Sequence, residues 1–285
     1  MNAFLQALLN PSYSFLRNAL AAALLSSVLF GVLGSIVTVK RIAGLAGAIS
    51  HAVLGGIGMA LYLKAVKILP SITPMAGAML FALVAALIIA LVSLKAKQRE
   101  DTVINAVWAI GMSVGVLFMA KTPGYTDPSS YLFGNILLVS SKDLILLAVL
   151  DVLVIILSWR FYPQLIASSF DEEFSRVRGV KTQLVFIVIL VITAVSVVLL
   201  QTFVGIVMVI AMLTLPSGIA SFTSKSVFSM MAGGCVFAAV FSVTGLAVSW
   251  NADLPSGAVT VVFAGIVYIG FAAGKGIIKR RQAKN

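Results

Sequence analysis

The chain holds a single histidine, His51, directly after Ser50 in an apolar run that also carries Gly44, Gly47, Gly55, Gly56 and Gly58. A neutral imidazole is the commonest protein ligand for zinc and similar ions. An ionisable side chain at membrane depth is expensive, so it faces a protein interior or a water-filled path. His51 therefore either meets a passing cation or hydrogen-bonds between helices, with Ser50 as a partner. One imidazole makes a weak site. That suits a path, where an ion must bind well enough to enter and loosely enough to leave. Asp151 is the second such group, a lone carboxylate in the run DLILLAVLDVLVIILSW. It is either a polar group on the same path or a structural hydrogen-bonding partner on a neighbouring helix. Asp253 stands before Pro255 and Gly257. It can cap the helix that Pro255 opens.

Other chemistry is poorly supported. There is no Gly-x-x-x-x-Gly-Lys-Ser/Thr loop for ATP and no Gly-x-Ser-x-Gly elbow. Cys235 is the only cysteine, so one chain can build neither a disulfide nor a multi-cysteine metal site. A hydrolase pairing His51 with Ser50, Ser217 or Ser256 is an alternative of another class, and it lacks a second ligand and an elbow. A channel or secondary transporter normally carries more intramembrane charge and inverted halves.

Composition says what must position these residues. Of 285 residues, 61% are hydrophobic and 10% charged, against about 25% charged in a soluble domain. The expectation is an all-α polytopic membrane protein with about nine spans, near 15–39, 44–64, 74–94, 102–120, 142–159, 182–201, 203–222, 226–249 and 257–274. A barrel would need short alternating strands. The N-terminus lacks the pattern of a cleaved signal peptide. With the N-terminus outside and the C-terminus cytoplasmic, fifteen of the twenty Lys and Arg residues fall inside, as the positive-inside rule prefers. The net charge of +11 then reflects orientation and contact with anionic lipid rather than nucleic acid. The whole chain, 1–285, reads as one transmembrane domain with a charged inner segment at 160–181 and a basic tail at 275–285.

The inner segment RFYPQLIASSFDEEFSRVRGVK places acids before bases, which suits the dipole of a short helix that Gly179 can end. The outer loop 121–135 is rich in turn residues, among them Pro123-Gly124 and Asp127-Pro128. Pro216 falls inside an apolar run and interrupts its hydrogen-bond ladder. Gly111-x-x-x-Gly115 and Gly270-x-x-x-Gly274 are candidate helix-packing faces.

Several of these stretches occur together, in order, in one known family. Gly34, Val37, Lys40 and Arg41 followed by Gly-Ala-x-Ser-His-Ala-Val-Leu at 47–54, Tyr131-Leu-Phe-Gly134, Phe-Asp-x-Glu-x-x-x-x-x-Gly-Val at 170–180, Leu-x-x-Pro-x-x-x-Ala ending at Ala220, and Asp-x-Pro-x-Gly-Ala at 253–258 resemble the permease subunit of ABC importers for zinc, manganese or iron. The family form has a proline after Ser-His-Ala where this chain has Gly55-Gly56. The resemblance implies a homodimer that moves a divalent metal inward by alternating access. It implies cytoplasmic ATPase subunits that carry the ATP, and an extracytoplasmic metal-binding protein that docks near Tyr131–Gly134. The chain itself would hold no cofactor and catalyse nothing. By the same resemblance, Phe170, Asp171, Glu173, Arg176 and Gly179 meet the ATPase. Ser50, His51, Asp151 and Asp253 mark the metal path. Gly55, Gly56, Pro216, Pro255 and Gly257 break or pack helices. The implied location is the plasma membrane of a bacterium. The siderophore or cobalamin permeases are a related alternative; those chains lack the Ser-His-Ala-Val segment.

Overall fold

Apolar runs of this length satisfy their backbone groups in a bilayer by forming helices, and this chain does so. The computed structural model describes residues 2–95, 100–124 and 129–282. Lys97, Arg99, Asp127, Pro128 and Lys284 lie outside the described residues, as do the side chains of Lys279, Arg280 and Arg281 in the basic tail. The helices are α1 (Asn2–Leu9), α2 (Ser14–Val39), α3 (Ala43–Ala65), α4 (Pro74–Lys95), α5 (Glu100–Lys121), α6 (Ser129–Phe133), α7 (Ser141–Arg160), α8 (Tyr162–Phe170), α9 (Glu172–Val177), α10 (Thr182–Val204), α11 (Ile206–Ser221), α12 (Val227–Ala252) and α13 (Ser256–Gln282).

Eight of the nine expected spans each fall on one of these helices; the span 203–222 begins on the last two residues of α10 and crosses Gly205 into α11. Seven are long and apolar enough to cross a membrane unaided: α2, α3, α4, α5, α10, α12 and α13. An eighth candidate is α7 taken with α8, bent by 65° between them. The remaining one, α11, has 16 residues, short of the roughly 20 that span a bilayer. Local chemistry sets the ends. Ser140 and Asp143 form a reciprocal capping box at α7, and Ser226 and Ser229 form one at α12.

Two groups of helices share the interior. In one, α2 packs mainly on α12, α11 and α7; in the other, α3 packs mainly on α5 and α4 and also on α10. Small residues permit the second set of contacts. A Cβ added at Gly56 would lie 2.0 Å from the Gly77 carbonyl oxygen of α4, and one at Gly58 would lie 2.4 Å from the Gly115 carbonyl oxygen of α5. Gly55 and Gly56 thus serve close approach, and α3 runs unbroken through them. Gly111 and Gly115 meet α3 within the chain, whereas Gly270 and Gly274 have open space around them. The outer face of α7 is a stripe of exposed Ile145, Val149, Val152 and Ile156. That spacing is one side of a helix, facing lipid or another chain.

The break between α10 and α11 is a single residue, Gly205, with φ +83°, a conformation that costs a side-chain-bearing residue dearly. There the Gly134 turn (φ +60°) and the start of α13 converge. A Cβ at Gly205 would stand 2.3 Å from the Phe133 carbonyl carbon, and one at Gly257 would stand 2.7 Å from the Phe133 carbonyl oxygen. Pro216 stays inside α11, where the Ser217 hydroxyl makes a 3.0 Å hydrogen bond with the Thr38 hydroxyl of α2.

Candidate functional site

His51 sits midway along α3 on the side facing α5. Its ring meets Trp108 edge to face, with centroids 5.2 Å apart and planes at 82°. The Gly111 and Gly115 contacts bring the two helices close enough for this. The ring is half-buried, and Nδ1 is buried without a hydrogen-bond partner. Ser50 does not supply one. Its hydroxyl donates to the Ala46 carbonyl oxygen at 2.8 Å, one turn back. The serine–histidine pair that a hydrolase needs is therefore missing among the described residues, and Ser217 is engaged on α2 and its own helix. A neutral imidazole with an uncommitted nitrogen can ligate a cation. Trp108 was not anticipated, although the Gly111-x-x-x-Gly115 spacing three residues later was a signal for α5 packing.

Asp151 lies elsewhere. It is 5% exposed on α7, which packs on α2, and neither carboxylate oxygen has a hydrogen-bond partner. Cys235 of α12 fills the space over Gly31 of α2. The extensive packing of α3 does not include α7, so His51 and Asp151 belong to different helix groups. The expected structural partner of Asp151, a serine, threonine or asparagine, is absent among the described residues.

Asp253 corrects the capping expectation. It ends α12 in the left-handed conformation, φ 52° and ψ 46°, and its N–H donates to the Ser249 carbonyl oxygen. It thus caps the preceding helix through its backbone, and its exposed carboxylate makes no hydrogen bond among the described residues. Pro255 stands just before α13, as expected.

Near this end, a cavity of about 430 Å³ lies between α3, α4, the α6 turn and α10, lined in part by Tyr131, Asn135 and Gln201. Burial pushes the Tyr131 phenol pKa up. Gln201 is 4% exposed, with both amide atoms unpartnered. It drew no attention in the sequence, where a glutamine near the end of an apolar run is ordinary.

The segment 160–181 folds as α8 and α9. Asp171 caps α9 by accepting from the Phe174 N–H at 2.8 Å, and Glu172 pairs with Arg176 at 2.9 Å. Gly179, φ +82°, ends α9 with the Val180 N–H on the Ser175 carbonyl oxygen at 3.0 Å, a Schellman closure. Glu173 is exposed, and Phe170, Phe174 and Val177 are exposed at 76%, 55% and 87%. Phe174 and Val177, three residues apart, share one face of α9.

The sequence profile of the ABC 3 transport family matches residues 12–274. The chain belongs to that family. It is a permease subunit of ABC transporters, not an enzyme, and a multi-pass protein of the bacterial plasma membrane. It is 37% identical to an uncharacterised membrane protein of Synechocystis sp. over 94% of this chain and 92% of that one. It is 32% identical to the manganese transport system membrane protein MntC of Listeria monocytogenes over 93% of this chain and 91% of that one. Among solved structures, PsaBC from Streptococcus pneumoniae, in complex with Fab, matches with TM-score 0.82 and 27% identity over 95% of each chain.

Proposed function

We propose that this chain is the membrane-spanning half of a binding-protein-dependent importer that carries a divalent transition metal, manganese by preference, into the cell. The observation that carries the reading is the family match along nearly the whole chain together with the named manganese system among its relatives. Two copies would form the transport unit. The chain crosses the membrane nine times with the N-terminus outside and the C-terminus in the cytoplasm, which supposes that α7 and the short α11 also cross. Cytoplasmic ATPase subunits bind the Phe170–Gly179 surface. The apolar residues Phe170, Phe174 and Val177 supply contact there, and the Asp171 cap and Gly179 closure make the segment rigid enough to pass motion on. A metal-binding protein docks on the outer rim around Tyr131–Gly134, where the exposed Asp253 can meet the arriving ion.

Within the bundle, His51 is the ligand we assign to the path, because its imidazole is half-buried and uncommitted. Ser50 supports the helix rather than the ion. Asp151 joins the path only in a conformation that opens the α2–α7 contact. The test is uptake of radiolabelled manganese, zinc or iron by vesicles holding the permease and its ATPase, with the binding protein outside. Manganese uptake that needs ATP and falls with Phe174→Ala is the expected result. No copurifying ATPase, or uptake without ATP, would sink the proposal; faster uptake of zinc or iron would replace the metal only.

A further inference from the structure

The end of α2, the last turn of α4, α8–α9 and the first turn of α10 enclose a cavity of about 380 Å³. The cavities between α3, α4 and α5 and between α12 and α13 are walled by apolar side chains. This one is polar: its wall carries Lys40, Ser168, Ser169, Glu172, Arg176 and Thr182. Arg176 and Glu172 already neutralise each other. Lys40 has no such partner among the described residues; its ammonium donates only to the Ser168 carbonyl oxygen, at 3.4 Å. Burial holds the Lys40 pKa below the ordinary lysine value, and the more distant Glu172 charge opposes this only in part. Among the described residues, the cavity thus keeps one cation whose charge is poorly answered.

A second observation comes from Thr182. It is 3% exposed, and its hydroxyl has no hydrogen-bond partner among the described residues. A buried hydroxyl without a partner is costly. Thr182 is also the first residue of a 23-residue helix whose N-cap, Lys181, offers no side-chain cap. The first N–H groups of such a helix carry the positive end of its dipole and attract anions. An under-compensated ammonium, an unused hydroxyl and a helix start without a side-chain cap, its first N–H taken by the Val180 carbonyl oxygen at 2.9 Å and the following ones left for a ligand, form the donor set for a tetrahedral oxyanion around one cavity.

We propose that this cavity binds a phosphate group, held by Lys40 and Thr182 between the membrane helices and the α8–α9 segment. The group belongs either to the head of an anionic phospholipid or to free phosphate. Bound there, it bridges α2 and α10 to α8–α9, so its occupancy sets how firmly the segment is held. The site rests on its own residues and stands whichever metal is carried; only its assignment to the cytoplasmic side rests on the proposed topology.

The experiment places the full-length chain in nanodiscs of phosphatidylcholine alone and of phosphatidylcholine with phosphatidylglycerol. Thermal midpoint and retained lipid by native mass spectrometry are read for wild type, Lys40→Gln, Thr182→Val, Thr182→Ser and Arg178→Gln. Inorganic phosphate is titrated against chloride at equal ionic strength in the phosphatidylcholine discs. Each variant is first compared with wild type in those discs without phosphate, so that a folding defect is seen separately. Losing one charge-assisted hydrogen bond is expected to weaken phosphate binding about tenfold in Lys40→Gln. Thr182→Val shows a smaller loss, while Thr182→Ser and Arg178→Gln, which removes a cation outside the cavity, behave as wild type. A variant-sensitive response to phosphatidylglycerol identifies a lipid head, and one to phosphate identifies the free anion. A wild type that responds to neither, or variants that all respond like wild type, overturns the proposal.

Discussion

His51 and Asp151, two ionisable side chains set within apolar helices, end in opposite surroundings. His51 lies half-buried between α3 and α5, against the indole of Trp108, with a ring nitrogen uncommitted. Asp151 lies sealed on α7 at 5% exposure, with both oxygens unpartnered. An imidazole can stay neutral at neutral pH, so leaving it unpaired costs little and keeps it ready for a cation. A carboxylate has no such option at equal cost, because an unpaired charge away from water is heavily penalised. The difference teaches where function and stability separate. The α3–α5 contact can give up a ligand without losing its packing, while the α2–α7 contact carries a standing cost that any change there will alter.

The comparison breaks most readily in transport. His51→Ala is expected to lower vesicle uptake at saturating binding protein about a hundredfold, as loss of a metal-site group does, while Asp151→Asn stays within a few-fold of wild type. Equal losses in both, with the protein intact, would put the two residues on one path. Next comes stability. Asp151→Leu, which removes an unpartnered buried carboxyl, is expected to stabilise by about 1–3 kcal/mol, read as a higher thermal midpoint in detergent; a lower midpoint would mean that the carboxyl has a partner in the membrane. Trp108→Leu removes the edge-to-face contact and should cost about 0.5–1.5 kcal/mol, with metal retention altered because the His51 ring is less well held. Retention unchanged alongside the lost stability would make Trp108 packing alone. The smallest effect is expected from Ser50→Ala. Its hydroxyl shares a carbonyl that the helix already uses, so stability should move by no more than about 0.5 kcal/mol and uptake should not change. A Ser50→Ala variant as inactive as His51→Ala would return Ser50 to the path.

Much of the fold was legible. Long apolar runs bounded by charge have one outcome in a bilayer, and all but one of the expected spans lie on a single helix, 203–222 crossing the Gly205 break. The helix-ending role of Gly179 was readable too, since the left-handed closure depends on local chemistry. Less of the site could be read. The turn signals around 131–135 and 253–258 gave no hint that Gly134, Gly205 and Gly257 crowd one point, because that depends on three segments far apart in sequence meeting backbone to backbone. Asp253 looked like an N-cap for α13 and is the C-cap of α12, since one residue between two helices can serve either and the chain's path decides.

The order of residues by itself settled that the chain is helical, where its long apolar helices run, and which few polar groups they carry into the apolar interior. Local hydrogen bonding and hydrophobicity act over a turn or two, and those are written along the chain. Which helix each polar group faces was decided only by the tertiary structure. Glycine contacts set which backbones can approach closely, and those contacts put His51 against Trp108 and left Asp151 across the bundle beside α2.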